Sequence, residues 1–482
     1  MILNNLTILE AHQGLKKKEF SSEDLVRACL NEIKEKDSKI HSFITVLEKE
    51  AIERAKIIDK QIASSGLNNF LTGIPLAIKD NILIQDVRAT AGSKILSEYY
   101  SPYDATVIKK LKDAGAIFVG KTNLDEFAMG SSTENSFFGP TKNPRDLQRV
   151  PGGSSGGSAA AVTAKMCLGA LGSDTGGSIR QPSSFCGVVG LKPTYGKVSR
   201  YGLMAMASSL DQIGPIGNSV DDVAILLDAI EGKDNFDSTS VKDAFKTKIP
   251  SNDNIFKKLR VGIPKEYFVK GLDPQIKKNI DQLIKKLEDG GAEIKEVSLP
   301  HTKEALACYY IIMPAEVSAN LSRYDGIRYG YSIQEGKNLL DVYLNSRTQG
   351  FGDESKRRII LGTYILSKGY YEDYYLKAQK VRTLIKNDFQ KVFEKVDCLL
   401  TPTTPTTAFK IGEKIDDPLN MYLSDIYTVP VNLAGLPALS LPIGEVEKLP
   451  FGLQIIGNYF EENKILEIAK TIEKLISKQV DK

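Results

Sequence analysis

The stretch PGGSSGGSAAAVTAKMCLGALGSDTGGSIRQPSSFCGVVG, residues 151–190, decides how the rest of the chain is read. Two clusters of glycine and serine, GGSSGGS at 152–158 and GSDTGGS at 172–178, flank an Ala- and Val-rich pattern at 159–171 that reads as a helix. Glycine and serine at such density describe a flexible linker by composition. A linker, however, carries neither an embedded helix pattern nor the apolar pair Val188-Val189 that follows. Each cluster is able instead to turn consecutive backbone N–H groups toward one point, the arrangement that holds an anion.

Outward from this stretch, helix and strand alternate. SSED at 21–24 offers an N-cap and an acidic first turn, and Leu25, Val26, Cys29, Leu30 and Ile33 follow at helical spacing. After a second charged helix ending near Ile62 come short apolar runs, IPLAI at 74–78, IFV at 117–119, CLL at 398–400, LSLPI at 439–443 and LQII at 453–456. Runs of this kind read as strands covered on both faces. Twice a helix runs into a glycine stop and then a strand: Val107, Ile108 and Leu111 precede Ala114-Gly115 and the run at 116–119, and Ile276, Ile280, Leu283, Ile284 and Leu287 precede Gly290-Gly291 and a strand at 294–297. The last helix gathers Ile465, Ile468, Ala469, Ile472, Leu475 and Ile476 on one face. The pattern predicts one large α/β domain over 1–482, with a mixed, mostly parallel central sheet covered by helices on both faces. Within it, 1–70 is a helical N-terminal segment, 71–220 the core with the Gly/Ser stretch, 231–420 a helix-rich excursion, and 421–482 a return to the sheet and a C-terminal helix. Polar residues at 231–258 mark the border of the excursion.

Composition removes several functions. The charge of 63 − 60 = +3 leaves no basic excess to grip a nucleic-acid backbone. Three histidines, His12, His41 and His301, lie far apart, so no paired-histidine metal site is expected. The five cysteines, Cys29, Cys167, Cys186, Cys308 and Cys398, are odd in number and scattered, as in a reduced cytoplasmic protein. No apolar stretch approaches the ~20 residues that a membrane span needs, and the first ten residues, MILNNLTILE, lack a basic start, so a cytoplasmic location without membrane attachment is expected.

Two motifs invite other readings. GAIFVGKT at 115–122 satisfies the phosphate-loop pattern, but a phosphate loop follows a strand and opens a helix, whereas this run follows a helix and is itself a strand sequence. GGSSG at 152–156 satisfies the nucleophile-elbow pattern, which requires a preceding strand and a histidine base; NPRDLQRVP at 143–151 supplies no strand and only His301 lies downstream.

A serine nucleophile without histidine needs another base. Lysine serves only if its pKa falls from ~10.4 toward ~7, at a cost of about 4 kcal/mol that burial can impose. Lys79 ends the run IPLAI and precedes DNILI, so it lies between two apolar segments. By position alone it is equally a strand-end lysine reaching water.

These residues resemble a known family. GSSGGS at 153–158 followed by GSDTGGSIR at 172–180 is similar to the amidase signature family, whose members hydrolyse carboxamides with a Ser-cisSer-Lys triad. The resemblance implies Ser178 as nucleophile, Ser154 as bridging serine in a cis peptide, Lys79 as base, and the N–H groups of Thr175, Gly176 and Gly177 as oxyanion hole. SSFCGVVGLKP at 183–193, SRYG at 199–202, SSLDQIGP at 208–215, RRIILGTY at 357–364 and DIYTVPVNLAGLP at 425–437 are similar to the branch that hydrolyses glutamine within bacterial tRNA-dependent amidotransferases. That likeness covers the whole chain and implies Arg358 for the α-carboxylate, Asp425 for the α-ammonium and Tyr309 in the same pocket. By themselves Arg358 and Asp425 read rather as a surface arginine and an N-cap aspartate. The resemblance further implies a heterotrimer with B and C subunits, tRNA held mainly by B, ATP and Mg used by B, and neither cofactor nor metal in this chain. Ser183, Met206 and Arg145 depart from residues usual in that branch. Three other functions stay open at this point: a stand-alone amidase of small carboxamides, a nucleotide-binding protein using 115–122, and a catalytically silent scaffold.

Overall fold

Pro75–Lys79 lies deep in the molecule with all five residues buried, and the fold is built outward from it. The computed structural model describes residues 2–242, 246–251, 255–257, 259–268 and 271–480, without the side chains of 478–480. Among these residues eleven strands form one sheet: β1 Phe43–Val46, β2 Pro75–Lys79, β3 Ile117–Thr122, β4 Gly169–Asp174, β5 Val189–Lys192, β6 Gln212–Gly217, β7 Arg260–Pro264, β8 Glu293–Val297, β9 Cys398–Pro402, β10 Ala438–Val446 and β11 Leu449–Ile456. Their order is β1-β3-β2-β4-β6-β5-β10-β11-β9-β7-β8.

The sheet is mixed, as expected, but the parallel majority is not present. Parallel pairing joins β2 to β3 and β4, and β7 to β8 and β9. The other neighbours run antiparallel. A run buried on both faces reads the same whichever way its neighbour points, so direction was hidden in the apolar runs. At β10 and β11 the cause is a tight hairpin, with Glu447 and Lys448 at φ 51° and 65° as a two-residue turn between twisted strands requires.

Alternation along the strands divides the core in two. Leu76 and Ile78 of β2, Leu171 of β4 and Ile213 of β6 pack into one apolar cluster with the helices Thr106–Asp113, Val220–Ile230 and Glu462–Val480. Ala77, Ala170 and Ile216 point the other way, against the helices Ser22–Ile40, Glu48–Ser65 and Gly156–Thr163. Both faces are therefore covered by helix. Ser21 and Asp24 close a capping box at the start of Ser22–Ile40. The two glycine stops hold left-handed φ, Gly115 at 81° and Gly291 at 100°, each between a helix and a strand. Residues 115–122 are thus a helix stop followed by β3, and no phosphate loop opens there.

Two expectations shift. The helix read over 159–171 stops at Thr163; the chain turns at Lys165, φ 63°, and Gly169–Asp174 becomes β4 between β2 and β6. Small apolar residues suit a crowded helix and a crowded central strand alike, and tertiary packing decides between them. The stretch 231–420 is helix-rich, with Ala305–Asn320, Leu339–Gly350, Asp353–Ile365 and Lys377–Phe393, yet it also gives β7, β8 and β9 to the sheet. Its polar border at 231–258 falls partly on 243–245, 252–254 and 258, which lie outside the described residues. No helix among the described residues is long and apolar enough to cross a membrane.

Candidate active site

The carboxyl ends of the parallel strands β2 and β4 meet at one place, the position where open α/β sheets bind ligands. Lys79 ends β2 with no exposed surface. Its Nζ lies 2.8 Å from Ser154 Oγ, 2.8 Å from Ser155 Oγ, 2.9 Å from Ser173 Oγ and 3.3 Å from the Ser173 carbonyl oxygen. The Gly153–Ser154 peptide is cis. Burial lowers the Lys79 ammonium to about 7, while the negative charges of Asp125, Asp174 and Asp211 oppose the fall without pairing with it. Such a lysine spends much of its time neutral near physiological pH and can accept a proton from a hydroxyl.

Ser178 sits at the end of the second Gly/Ser cluster, just before the helix Arg180–Cys186, and its carbonyl oxygen accepts from Ser155 N at 3.1 Å. Asp174, the last residue of β4, shapes this loop. Its carboxylate accepts from Gly177 N at 2.9 Å and Ile179 N at 3.1 Å, and pairs with the fork of Arg180 at 3.0 Å on both oxygens. Burial alone pushes this carboxyl up, but Arg180 and the Asn432 amide outweigh it and hold the group at about 2. The Gly177 N–H expected in the oxyanion hole is thus engaged by Asp174. The N–H groups of Thr175, Gly176 and Ser178 make no hydrogen bond to any described residue, so they are the open donors of the loop. Neither Gly176 nor Gly177 has room for a side chain. A Cβ on Gly176 would lie 2.8 Å from the Tyr309 ring, and one on Gly177 would lie 2.2 Å from Thr428 Oγ1 and 3.2 Å from Asp425 Oδ1.

Those distances bring Tyr309 and Asp425 to the nucleophile loop, and the charge of Arg358 acts on both. Tyr309 comes from the helix Ala305–Asn320, Arg358 from Asp353–Ile365 and Asp425 from the turn Leu423–Asp425. Asp425 Oδ2 accepts from the Ser131 hydroxyl, while its Oδ1 is buried without a hydrogen-bond partner among the described residues. An orphaned carboxylate oxygen of this kind is costly unless a cation comes to it. Burial raises the Asp425 carboxyl to about 7. Arg358 is buried, with Nε on Glu354 Oε1 at 2.8 Å and its plane beside the rings of Tyr310 and Tyr422, 5.5 and 5.6 Å from their centroids. Its Nη2 has no acceptor among the described residues, and the side chain lines a cavity of about 710 Å³ with Gly130, Ser132, Glu354 and Tyr422. The neighbourhood offers one carboxylate oxygen without a partner and one half-satisfied cation, close enough for the Arg358 charge to act on Asp425.

Several residues were missed from the sequence. Ser155 and Ser173 share Lys79 with Ser154, and both lie in the quoted Gly/Ser stretch, where nothing distinguishes one serine from the next. Asp125 accepts from Thr133 N at 2.9 Å and Asn135 N at 3.2 Å, and burial raises it to about 6. Gln181 ties Gly153 N to the Ser131 carbonyl, linking the cis peptide to the Asp425 partner. The departing residues stay outside this set: the Ser183 hydroxyl closes on the Ile179 carbonyl at 2.7 Å, Met206 N donates to Asp211 at 2.9 Å, and Arg145 is half exposed near Glu445. Among the described residues no three His, Cys, Asp or Glu side chains cluster to hold a metal ion.

Comparison with known proteins assigns the chain to a family over nearly its whole length. The family described as Amidase matches residues 24–466. The chain is 56% identical over 474 residues to the A subunit of glutamyl-tRNA(Gln) amidotransferase from Caldanaerobacter subterraneus, covering 98% of this chain and 97% of that one. It is 55% identical over 473 residues to the protein of the same name from Carboxydothermus hydrogenoformans, covering 98% of both. Among solved structures, that of the glutamyl-tRNA(Gln) amidotransferase A subunit from Thermotoga maritima superposes with a TM-score of 0.81 at 46% identity, covering 98% of this chain and 95% of that one.

Proposed function

This chain belongs to the amidase family, and from that premise we propose that it is the glutamine-hydrolysing subunit of a tRNA-dependent amidotransferase, converting Glu-tRNA(Gln), or Asp-tRNA(Asn), with ammonia taken from glutamine. The observation that carries the chemistry is Lys79, fully buried, held near neutrality and 2.8 Å from the hydroxyl of Ser154. Lys79 takes the proton of Ser154 as Ser154 takes that of Ser178, and Ser178 Oγ attacks the side-chain carbonyl carbon of glutamine. The oxyanion forms against the open N–H groups of Thr175, Gly176 and Ser178, with Gly177 held in place by Asp174. As the C–N bond breaks, the proton returns through Ser154 to the leaving nitrogen and ammonia departs. Water then adds to the γ-glutamyl ester by the same relay, releasing glutamate and restoring Ser178. Arg358 receives the α-carboxylate with the face of its fork that the protein leaves open, and Asp425 Oδ1 receives the α-ammonium. Tyr309, packed over Gly176, closes the pocket between them. Every group in this cycle is a side chain or backbone amide of the chain, so it asks for no cofactor.

The ammonia is consumed in a partner, the B subunit, which holds the tRNA and activates it with ATP and Mg; a C subunit braces the pair. A chain so nearly uncharged suits a subunit that leaves the tRNA to another. An enzyme that acts on aminoacyl-tRNA works where translation runs, so the assembly belongs to the cytoplasm. A stand-alone amidase is not favoured: it has no use for the Arg358 and Asp425 pair, and relatives at 55% identity across the whole chain are named as subunits. The test is Ser178→Ala in the assembled enzyme. Glutamine hydrolysis is expected to fall to background while added ammonia still supports tRNA amidation. Retained glutaminase activity removes Ser178 as nucleophile, and loss of the ammonia-driven reaction means the substitution damaged the assembly.

A further inference from the structure

Resting on the reading of Arg358 above, we propose that Glu126 is the positioning residue of the α-carboxylate site, because it caps from outside the helix that carries Arg358. That helix, Asp353–Ile365, starts at Gly352, which has no side chain with which to cap it. The open N–H groups of a helix start need acceptors, and a negative charge there also meets the positive end of the helix dipole. Glu126, 226 positions away in sequence, supplies both: its Oε2 accepts from Gly352 N at 2.9 Å and from the Ser355 hydroxyl. Oε1 accepts from the Ser93 hydroxyl, whose oxygen lies 3.3 Å from the Gly350 carbonyl at the end of the preceding helix. A Cβ at Gly352 would stand 2.8 Å from Glu126 Oε2; glycine is what lets the carboxylate reach the helix.

Glu126 also lines the cavity into which Arg358 faces, yet both its oxygens are spent on these donors. It therefore touches no substrate and acts through Arg358, which lies within two turns of the capped end. A guanidinium fork that must meet a carboxylate two-pronged loses much of its grip when displaced by an ångström or so. Glu126→Gln keeps the shape and one acceptor but removes the charge and puts an amide N–H toward donors on one side.

In the assembled enzyme, Glu126→Gln is expected to raise the KM for glutamine about tenfold with kcat within twofold, because the reacting amide is bound elsewhere. In an Arg358→Lys background, where the fork is already absent, the same change is expected to raise KM less than twofold. Hydrogen exchange of the 352–358 amides is expected to speed up in Glu126→Gln. Should that variant fail to fold, Ser355→Ala, which removes one donor from the cap, is expected to raise KM two- to threefold. An unchanged KM, equal losses in kcat and kcat/KM, or a full effect persisting without the fork overturns the proposal. If instead Arg358→Lys alone leaves KM unchanged, the assignment of the α-carboxylate fails, and faster exchange at 352–358 still separates the cap from that failure.

Discussion

Two lysines side by side in the sheet, with opposite company, set the chemistry. Lys121 on β3 pairs with Asp80 at 3.0 Å, both wholly buried, whereas Lys79 on β2 meets hydroxyls and a carbonyl and has no carboxylate within ion-pair distance among the described residues. Burial, opposed by the charges of Asp125, Asp174 and Asp211, leaves Lys79 at about 7. Glutaminase kcat is therefore expected to fall with unit slope as pH drops below about 7. Asp425, also raised to about 7 by burial, must be ionised to take the ammonium, so kcat/KM, which reports the free enzyme, is expected to fall with a slope approaching two. Stability runs in the other sense. A lysine whose folded pKa lies below its unfolded value of ~10.4 destabilises the fold fully below about 7 and progressively less as pH rises toward the unfolded value. Lys79→Met removes that penalty. Relative to the wild type, the inactive variant should gain about 2 to 3 kcal/mol in urea unfolding on going from about pH 9 to about pH 6. A stability difference that does not change between these pH values rules out a depressed Lys79.

The next scale is the end of β4 and the loop it launches. Asp174 collects Gly177 N, Ile179 N, the Asn432 amide and both prongs of Arg180, so one carboxylate fixes the peptide units on either side of Ser178. Asp174→Asn leaves a guanidinium buried without its partner, which costs about 3 to 5 kcal/mol, and frees the loop that aims the oxyanion donors, worth roughly a hundredfold in kcat. The double change Asp174→Leu, Arg180→Met is expected to recover part of the stability and none of the activity, since it removes the unpaired charge but leaves Gln454 Oε1, Asn432 and Gly177 N without their partners. Measured by urea unfolding beside glutamine hydrolysis, full activity in Asp174→Asn would remove the loop from this account. This element also shows what the sequence could and could not disclose. Lys79 stood out because an unpaired lysine between two apolar runs is rare and no histidine was placed to replace it. The helices announced themselves by period and cap. Asp174 did not, because an aspartate that ends a strand six positions before the arginine it pairs with looks, in one dimension, like a turn residue. Strand direction was equally silent, and so was the close of the helix at Thr163, since Ala-rich text packs well in either form.

Across the whole molecule, the proposed site joins parts far apart in the chain: Lys79, Ser154 and Ser178 come from the sheet and its Gly/Ser loops, while Tyr309, Arg358 and Asp425 come from helices and turns more than a hundred residues later. One continuous sheet, with β7, β8 and β9 paired on beyond β11, places the two sets together. The same global view bears on tRNA. Binding to a polyanion draws its affinity from Lys and Arg that displace counterions, and log K falls with log salt in proportion to the phosphates neutralised. With 63 Lys and Arg against 60 Asp and Glu, the chain has a surplus of only three. Some of its cations are balanced by acids nearby, as in Arg27 with Glu23, Lys277 with Asp281 and Arg260 with Asp397. The isolated chain is therefore expected to bind tRNA no more tightly than non-specific proteins do, with Kd of about 10⁻⁴ to 10⁻⁶ M near physiological salt. The assembly with B and C is expected to bind tRNA far more tightly. Filter binding of the isolated chain and of the assembly across a salt series separates the contributions: a steep slope in both would place phosphate contacts on this chain, whereas a slope appearing only with the assembly leaves them on the partner.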